Sequence, residues 1–243
     1  MDRNSNSYTF IYATVMVIVV AAVLSFAATN LKKAQQQNIK IEKMQNILAS
    51  VNIAADAKQA EDTYNNTVKD SYIVNSKGEK VDGKAFNVDM AAEYKKPVDQ
   101  RKLPVFECEI DGQKKYILPL YGAGLWGPIW GYISLNEDAT TVYGANFAHQ
   151  GETPGLGAEI ATKGFQVQFQ GKTIFDGSKM TSIFVAKSNE KPADMSHAVD
   201  AISGGTITSK GLQRMLLQDL TAYEAFLNTK NKHSTRKTYK NEQ

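Results

Sequence analysis

Three glycine-rich stretches hold the side chains best suited to chemistry: Gly124-Leu125-Trp126-Gly127-Pro128-Ile129-Trp130-Gly131, His149 to Gly157, and Asp200 to Ser209. The third gathers the hydroxyls of Ser203, Thr206, Thr208 and Ser209 around Gly204 and Gly205. Glycine lets a backbone approach a ligand closely, and a helix start offers unpaired N–H groups and a positive dipole end. Two readings of these residues stand side by side. The stretch is a glycine-rich loop opening a helix, or it is a phosphate site in which a hydroxyl bonds the phosphate or becomes esterified to it. It is neither a Walker loop nor a Rossmann glycine fingerprint, because the spacing and the preceding strand are wrong.

Other chemistries have less support. The lone cysteine, Cys108, excludes an internal disulfide and a thiolate metal site, and its alternating surroundings read as a strand with Cys108 as a small buried hydrophobe. His149, His197 and His233 are scattered, with no pair at helical ligand spacing. A formal charge of +3 gives no ground for nucleic-acid binding. Much of that excess lies in Lys230, Lys232, Arg236, Lys237 and Lys240, opposed there by Glu242. This run reads as a solvated, mobile tail over 229–243, with lipid headgroups or an acidic partner as the alternative.

The elements that must position these stretches begin with a membrane span. Phe10 to Ala28 carries no charge, and its polar groups are the hydroxyls of Tyr12, Thr14 and Ser25. As a helix it rises about 28 Å, enough to cross the hydrocarbon of a bilayer, where lipid offers no partner to a free backbone group. Tyr8 and Tyr12 suit one interface, Lys32 and Lys33 the other. A cleavable signal peptide has a shorter apolar core and a buried soluble helix has a polar stripe, so an uncleaved anchor over 1–31 is the expectation. A bare count of Lys and Arg keeps the large domain in the cytoplasm, but that rule is weak for long domains.

Beyond the anchor, Ile41, Met44, Ile47, Leu48 and Val51 follow helical spacing, as an extension of the first helix or a second, amphipathic one. Residues 56–100 are polar, and a connecting region is expected over 32–102. From Leu103 short strands are predicted at 105–110, 114–120, 129–135, 140–148, 165–170 and 181–187. A helix follows over about 210–227, with Thr208 or Ser209 at its N-cap and an apolar stripe of Leu212, Met215, Leu216, Leu220, Tyr223, Phe226 and Leu227. The fold class is α+β: an antiparallel-sheet domain over 103–228 with a C-terminal helix, behind one N-terminal transmembrane helix.

Asp200-Ala201-Ile202-Ser203-Gly204-Gly205-Thr206-Ile207-Thr208-Ser209 resembles the Asp-x-x-Ser-Gly-Ala-Thr-x-Thr-Ser flavinylation motif of covalent FMN-binding domains. Glu152-Thr153-Pro154-Gly155-Leu156-Gly157 and Trp126 to Gly131 resemble two further signatures, in the expected order behind a single span. The combination is similar to the C subunits of sodium-translocating NADH:quinone oxidoreductases, over the anchor and about residues 103–228. The resemblance implies an FMN joined through its phosphate to Thr206 by a separate flavin transferase. It places Asp200, Ser203, Gly204 and Thr208 in the attachment loop, with Glu152, Thr153, Leu156, Gly157, Trp126 and Lys187 toward the flavin. Gly205 departs from the motif, where alanine is usual. The resemblance also implies a periplasmic domain on the bacterial inner membrane, partner subunits in the complex, and electrons received from an iron centre and passed to another covalent flavin. On its own such a subunit has no NADH site. A flavoprotein subunit of an ion-motive ferredoxin:NAD oxidoreductase shares the flavin motif, and an anchored interaction protein that kept the fold without the cofactor is the non-redox alternative.

Overall fold

The computed structural model describes residues 5–187, 189–190, 192 and 194–241, with side chains to Asn231. It divides into two compact units, Met1–Lys43 and Met44–Gln243. The first is helical. Helix α1, Asn6–Ser50, runs unbroken for 45 residues, so the apolar span and the amphipathic stretch after it belong to one helix. Among the described residues it is the one helix long and apolar enough to cross a membrane, and its apolar window is wholly exposed. Within it Thr14 donates to the Phe10 carbonyl at 2.8 Å, which satisfies a hydroxyl that lipid cannot.

The second unit is built on a six-stranded antiparallel sheet. Its strands are β1 (Val68–Val74), β2 (Lys80–Val81), β3 (Leu103–Ile110), β4 (Gln113–Ala123), β5 (Pro128–Leu135) and β6 (Val142–His149), in the order β2-β1-β3-β4-β5-β6. Helices α2 (Ala60–Thr67) and α3 (Met90–Tyr94) flank the first strands. The sheet therefore reaches back across the division expected at Leu103: residues 68–81, read as polar connection, supply two strands. Their polarity follows from position, since β2 is an edge strand and the early residues of β1 are exposed.

One face of the sheet is covered by helix α5, Thr206–Asn241. Its stripe of Leu212, Met215, Leu216, Leu220, Tyr223, Phe226 and Leu227 is buried in one apolar cluster with Tyr72, Val105, Leu118, Leu120, Ile133 and Leu135. Tyr223 donates its hydroxyl to the Pro104 carbonyl at 2.7 Å, and Phe226 meets the rings of Tyr116 and Tyr72 edge-on. Full burial of such side chains is worth roughly 1.5–3 kcal/mol each. The other face carries Phe106, Ile117 and Ser134, which are neighbours in register. Ser134 donates there to the Ser50 carbonyl at 2.5 Å, fixing the last turn of α1.

Two sequence expectations fail for identifiable reasons. Residues 165–170 are not a strand. They form helix α4, Lys163–Gln166, and a 3-10 turn, Val167–Phe169. Thr162 caps them by accepting from the Phe165 N–H, and Phe165 and Phe169, four residues apart, both pack against Phe147. Val167 completes an apparent alternation but is exposed. The C-terminal helix also starts earlier and ends later than 210–227. Ser209 N–H already bonds the Gly205 carbonyl at 2.9 Å, so Thr208 and Ser209 lie inside the first turn instead of capping it. The helical backbone continues through the basic run to Asn241; the side chains of Lys232, Arg236, Lys237 and Lys240 lie outside those described.

The remaining strands are short. β7 (Phe175–Asp176) and β8 (Lys179–Met180) form a hairpin, and β9 (Phe184–Ala186) pairs in parallel with β10 (Ala198–Asp200). Of the stretch 181–187, residues 184–186 are strand, and Lys187 follows directly.

A buried carboxylate ties α5 to the sheet. Asp219 accepts from the Tyr121 N–H at 2.7 Å and lies 3.7 Å from the Arg101 guanidinium. Burial pushes its pKa from 3.8 up to about 7, against the opposing pull of the Tyr121 N–H and Arg101. Because the folded value is raised, the stability that Asp219 contributes is fully present below about pH 4 and is lost as pH rises through about 7. Asp219→Asn is therefore expected to flatten the decline in stability between pH 5 and pH 7.5, read by urea denaturation of the detergent-solubilised protein. A slope unchanged from wild type would refute that linkage.

Candidate functional site

The three glycine-rich stretches meet around one carboxylate. Trp126 lies in the β4–β5 turn, Glu152 in the loop after β6, and Thr208 in the first turn of α5. Glu152 is 4% exposed. Its Oε1 accepts from the Trp126 N–H at 2.9 Å, and its Oε2 accepts from the Thr208 hydroxyl at 2.5 Å. Its own N–H donates to His149 Nδ1 at 3.2 Å. A buried carboxylate needs such donors, because each unmet lone pair costs desolvation energy. Gly124 and Gly157 make the room: a methyl group on Gly124 would overlap Glu152 Oε1, and one on Gly157 would overlap both Glu152 Oε2 and Thr208 Oγ1.

The loop from Asp200 to Gly205 is pinned at both ends. Asp200 N–H donates to Gln168 Oε1 at 2.9 Å, and Ala201 N–H donates to the Ala186 carbonyl at 2.7 Å. Ser209 Oγ reaches back to accept from the Ile202 N–H at 3.1 Å. Ser203 and Gly204 are exposed at the tip, where Gly204 has a φ of +73° that suits glycine. Gly205 is buried, and a Cβ there would sit 2.9 Å from Ile202 Cγ2 and 3.3 Å from the Leu156 carbonyl carbon. The chain thus has a packing reason for glycine where the motif usually has alanine: β-branched Ile202 takes up the space.

Thr206 opens the helix and is half-buried. It lines a cavity of about 280 Å³ with Phe184, Val185, Lys187, Lys210 and Arg214, among others. Lys187, picked out from the sequence, is thereby brought to the same cavity as Thr206. Lys210 and Arg214 were missed, although they follow Thr206 by four and eight residues and so share its helix face. Leu156, 42% exposed, lies against Gly204 and Gly205. With Trp126 at 68% and Ile207 at 53% exposed, it gives this end of the domain an unusual apolar surface. Thr153 contributes its backbone, its carbonyl accepting from the N–H groups of Leu156 and Ala158 at 3.1 and 3.2 Å.

A basic cavity beside a hydroxyl and an exposed apolar edge fits a cofactor with a phosphate at one end and an aromatic ring at the other. A larger cavity of about 650 Å³, lined by Asn52, Asn146, Gln166 and Gln170 among others, contains none of the motif residues. Size alone therefore does not select the site. No group of three His, Cys, Asp or Glu side chains able to hold a metal occurs among the described residues.

Known proteins resemble this chain in both sequence and fold. The family model of the FMN-binding domain matches residues 124–220, a span that includes all three stretches. The C subunit of the Na(+)-translocating NADH-quinone reductase of Yersinia pestis is 31% identical over 234 residues, covering 87% of this chain and 88% of that protein. The crystal structure of the corresponding Parabacteroides distasonis protein superposes with a TM-score of 0.77 at 47% identity, over 81% of this chain and 96% of that one. The Shewanella oneidensis NqrC structure gives 0.66 at 27% identity, over 79% and 98%. On the sequence match over nearly the full length and the shared fold, this chain belongs to the family of Na(+)-translocating NADH-quinone reductase C subunits.

Proposed function

We propose that this chain is the electron-carrying C subunit of a sodium-translocating NADH:quinone reductase, with FMN held as a phosphoester on Thr206 Oγ1. The observation that carries the reading is the Glu152 carboxylate, which joins all three flavin-associated stretches in one place. When bound, FMN supplies reversible one- and two-electron chemistry, while the protein sets its position and environment.

The chain's own residues have distinct tasks. Thr206 supplies the hydroxyl, at the mouth of a cavity that also holds Lys187. Glu152 fixes Thr208, and with it the first turn of α5, to the loop that carries Leu156. Leu156, Ile207 and Trp126 offer apolar surface to the ring, and Gly157 leaves the carboxylate unobstructed. Asp200 and Ser203 belong to the loop that a flavin transferase has to recognise. The phosphoester leaves the ring unmodified, so it tethers the cofactor more than it tunes it.

In this reading α1 is a single-pass anchor in the bacterial inner membrane and the domain lies in the periplasm. The charge count favours the opposite side, but it is a poor guide for a long domain. NADH oxidation and sodium movement belong to the assembled complex: the glycine-rich stretches here lack dinucleotide spacing. Electrons enter from and leave to cofactors of the other subunits.

Co-expression with a flavin transferase should give a fluorescent band on a denaturing gel, with a mass increase of FMN less one water. Thr206→Ala should abolish the band, and a band that persists would move attachment elsewhere, with Thr208 the next candidate. Glu152→Gln keeps the shape of the side chain but turns an acceptor toward Thr208 into a weaker or mismatched partner. It is expected to cost about 1.5–3 kcal/mol, seen as a lower Tm, and to reduce the fluorescent band. Unchanged Tm and labelling in that variant would show that Glu152 does not organise the site.

A further inference from the structure

The cavity beside Thr206 has an electrostatic character that the attachment motif does not explain. Three cations line it: Lys187 after β9, and Lys210 and Arg214 on α5. Among the described lining residues Glu190 is the one carboxylate, so these residues together carry a net charge of +2. Among the described residues, no carboxylate lies within ion-pairing distance of Lys187, Lys210 or Arg214. Three unmatched positive groups around one concavity repel one another, and an anion relieves that repulsion.

The walls of the cavity are fixed by hydrogen bonds that leave these cations available. Gln213 Oε1 accepts from the Val185 N–H at 3.1 Å, joining α5 to β9. Ser209 Oγ accepts from the Ile202 N–H at 3.1 Å, joining α5 to the attachment loop. Ser209 and Gln213 thus act as struts. Lys210 and Arg214 stand on the same helix face as Thr206, one turn and two turns on. Both are exposed, and neither falls within the Asp200–Ser209 motif.

We infer that Lys187, Lys210 and Arg214 form a phosphate-monoester site that holds the phosphate of FMN beside Thr206 reversibly, independently of any covalent bond. The inference rests on the reading of Thr206 as the attachment point and deepens it by naming the residues that hold the phosphate there, with no part in forming the ester itself. A phosphate monoester carries a charge of about −1.5 to −2 at pH 7, which matches the cavity lining. Guanidinium binds its oxygens through paired N–H donors, and ammonium as a point charge. Because Lys210 and Arg214 are exposed, the site is sensitive to salt.

The test uses the full-length, detergent-solubilised Thr206→Ala variant, which has no hydroxyl to esterify at that position. Free FMN and riboflavin are titrated against it separately, following flavin fluorescence, at low and high sodium chloride. FMN is expected to bind about tenfold or more tightly than riboflavin at low salt, a difference of about 1.4 kcal/mol. Inorganic phosphate should compete with FMN and leave riboflavin unaffected. Adding Lys210→Gln and Arg214→Gln should remove the preference while leaving Tm unchanged, since both side chains are exposed. Equal affinities for the two flavins, no binding of either, or a preference that survives the double substitution would each overturn the inference. Failure here is separable from failure of the ester: a wild-type band that fluoresces while Thr206→Ala shows no preference defeats this site alone. A dark wild-type band beside a clear preference defeats the ester and leaves the site standing.

Discussion

A carboxylate withdrawn from water has to be met by donors, and Glu152 is met from two directions by separate parts of the chain. The Trp126 N–H comes from a turn between strands, and the Thr208 hydroxyl from the start of a helix more than fifty residues later. Removing either donor would leave one buried carboxylate oxygen without its partner, at a cost that exceeds the worth of an average hydrogen bond. The geometry also forbids a side chain at Gly124 or Gly157, where any Cβ would overlap the carboxylate. Gly124 in the first stretch, Gly157 in the second and Thr208 in the third answer to one packing requirement. Position and rigidity at the site follow from it.

The scaffold around this contact divides the work between its two ends. Along the sheet, α5 is held by its apolar stripe, by Tyr223 on the Pro104 carbonyl and by Asp219 between Tyr121 and Arg101. Those contacts seat the body of the helix on the sheet. Its first turn extends past the apolar cluster, and polar contacts hold it instead: Thr208 on Glu152 and Ser209 on the Ile202 N–H. A site on a helix start secured in this way is more precisely placed than one on a free loop, yet it stays at the surface. An electron carrier needs both properties, since transfer between subunits requires an accessible cofactor in a fixed place.

Elements with a strong periodic signal were legible in the sequence, and those whose pattern depended on context were not. The span from Phe10 to Ala28, the strands containing Val105, Ile117 and Ile133, and the Leu212–Leu227 stripe each announce their partner surface. Residues 165–170 misled because Phe165, Val167 and Phe169 alternate like a strand, while burial of the phenylalanines alone satisfies a helical turn as well. Residues 68–81 hid two strands because β2 is an edge strand of two residues and the early residues of β1 are exposed, which leaves only Tyr72, Ile73 and Val74 buried. The candidate site was legible through resemblance more than through residue physics: hydroxyls near glycines do not single out Thr206. Glu152 stood in a matched motif, but its pairing with Thr208 is a contact across 56 positions that no local pattern encodes. Lys210 and Arg214 carried a readable signal in their four-residue steps from Thr206, obscured by the ordinary appearance of cations on a helix.

The shape of the site bears on why a tether would serve it. The cavity beside Thr206 is about 280 Å³, at or below the lower end of about 300–1,000 Å³ for pockets that enclose a drug-sized ligand. It can take the phosphate end of a flavin mononucleotide, but the ring would have to lie outside, along Leu156, Ile207 and Trp126. Those side chains are themselves largely exposed, so the area they can remove from water is limited, and apolar burial yields only about 25 cal/mol per Å². Reversible binding through an exposed basic cavity weakens further as salt rises. A phosphoester on Thr206 would remove the dependence on both terms: the cofactor would stay while its ring remained open to neighbouring subunits. The same shallowness that makes the site poor at holding a free ligand is what electron exchange between neighbouring proteins of the complex requires.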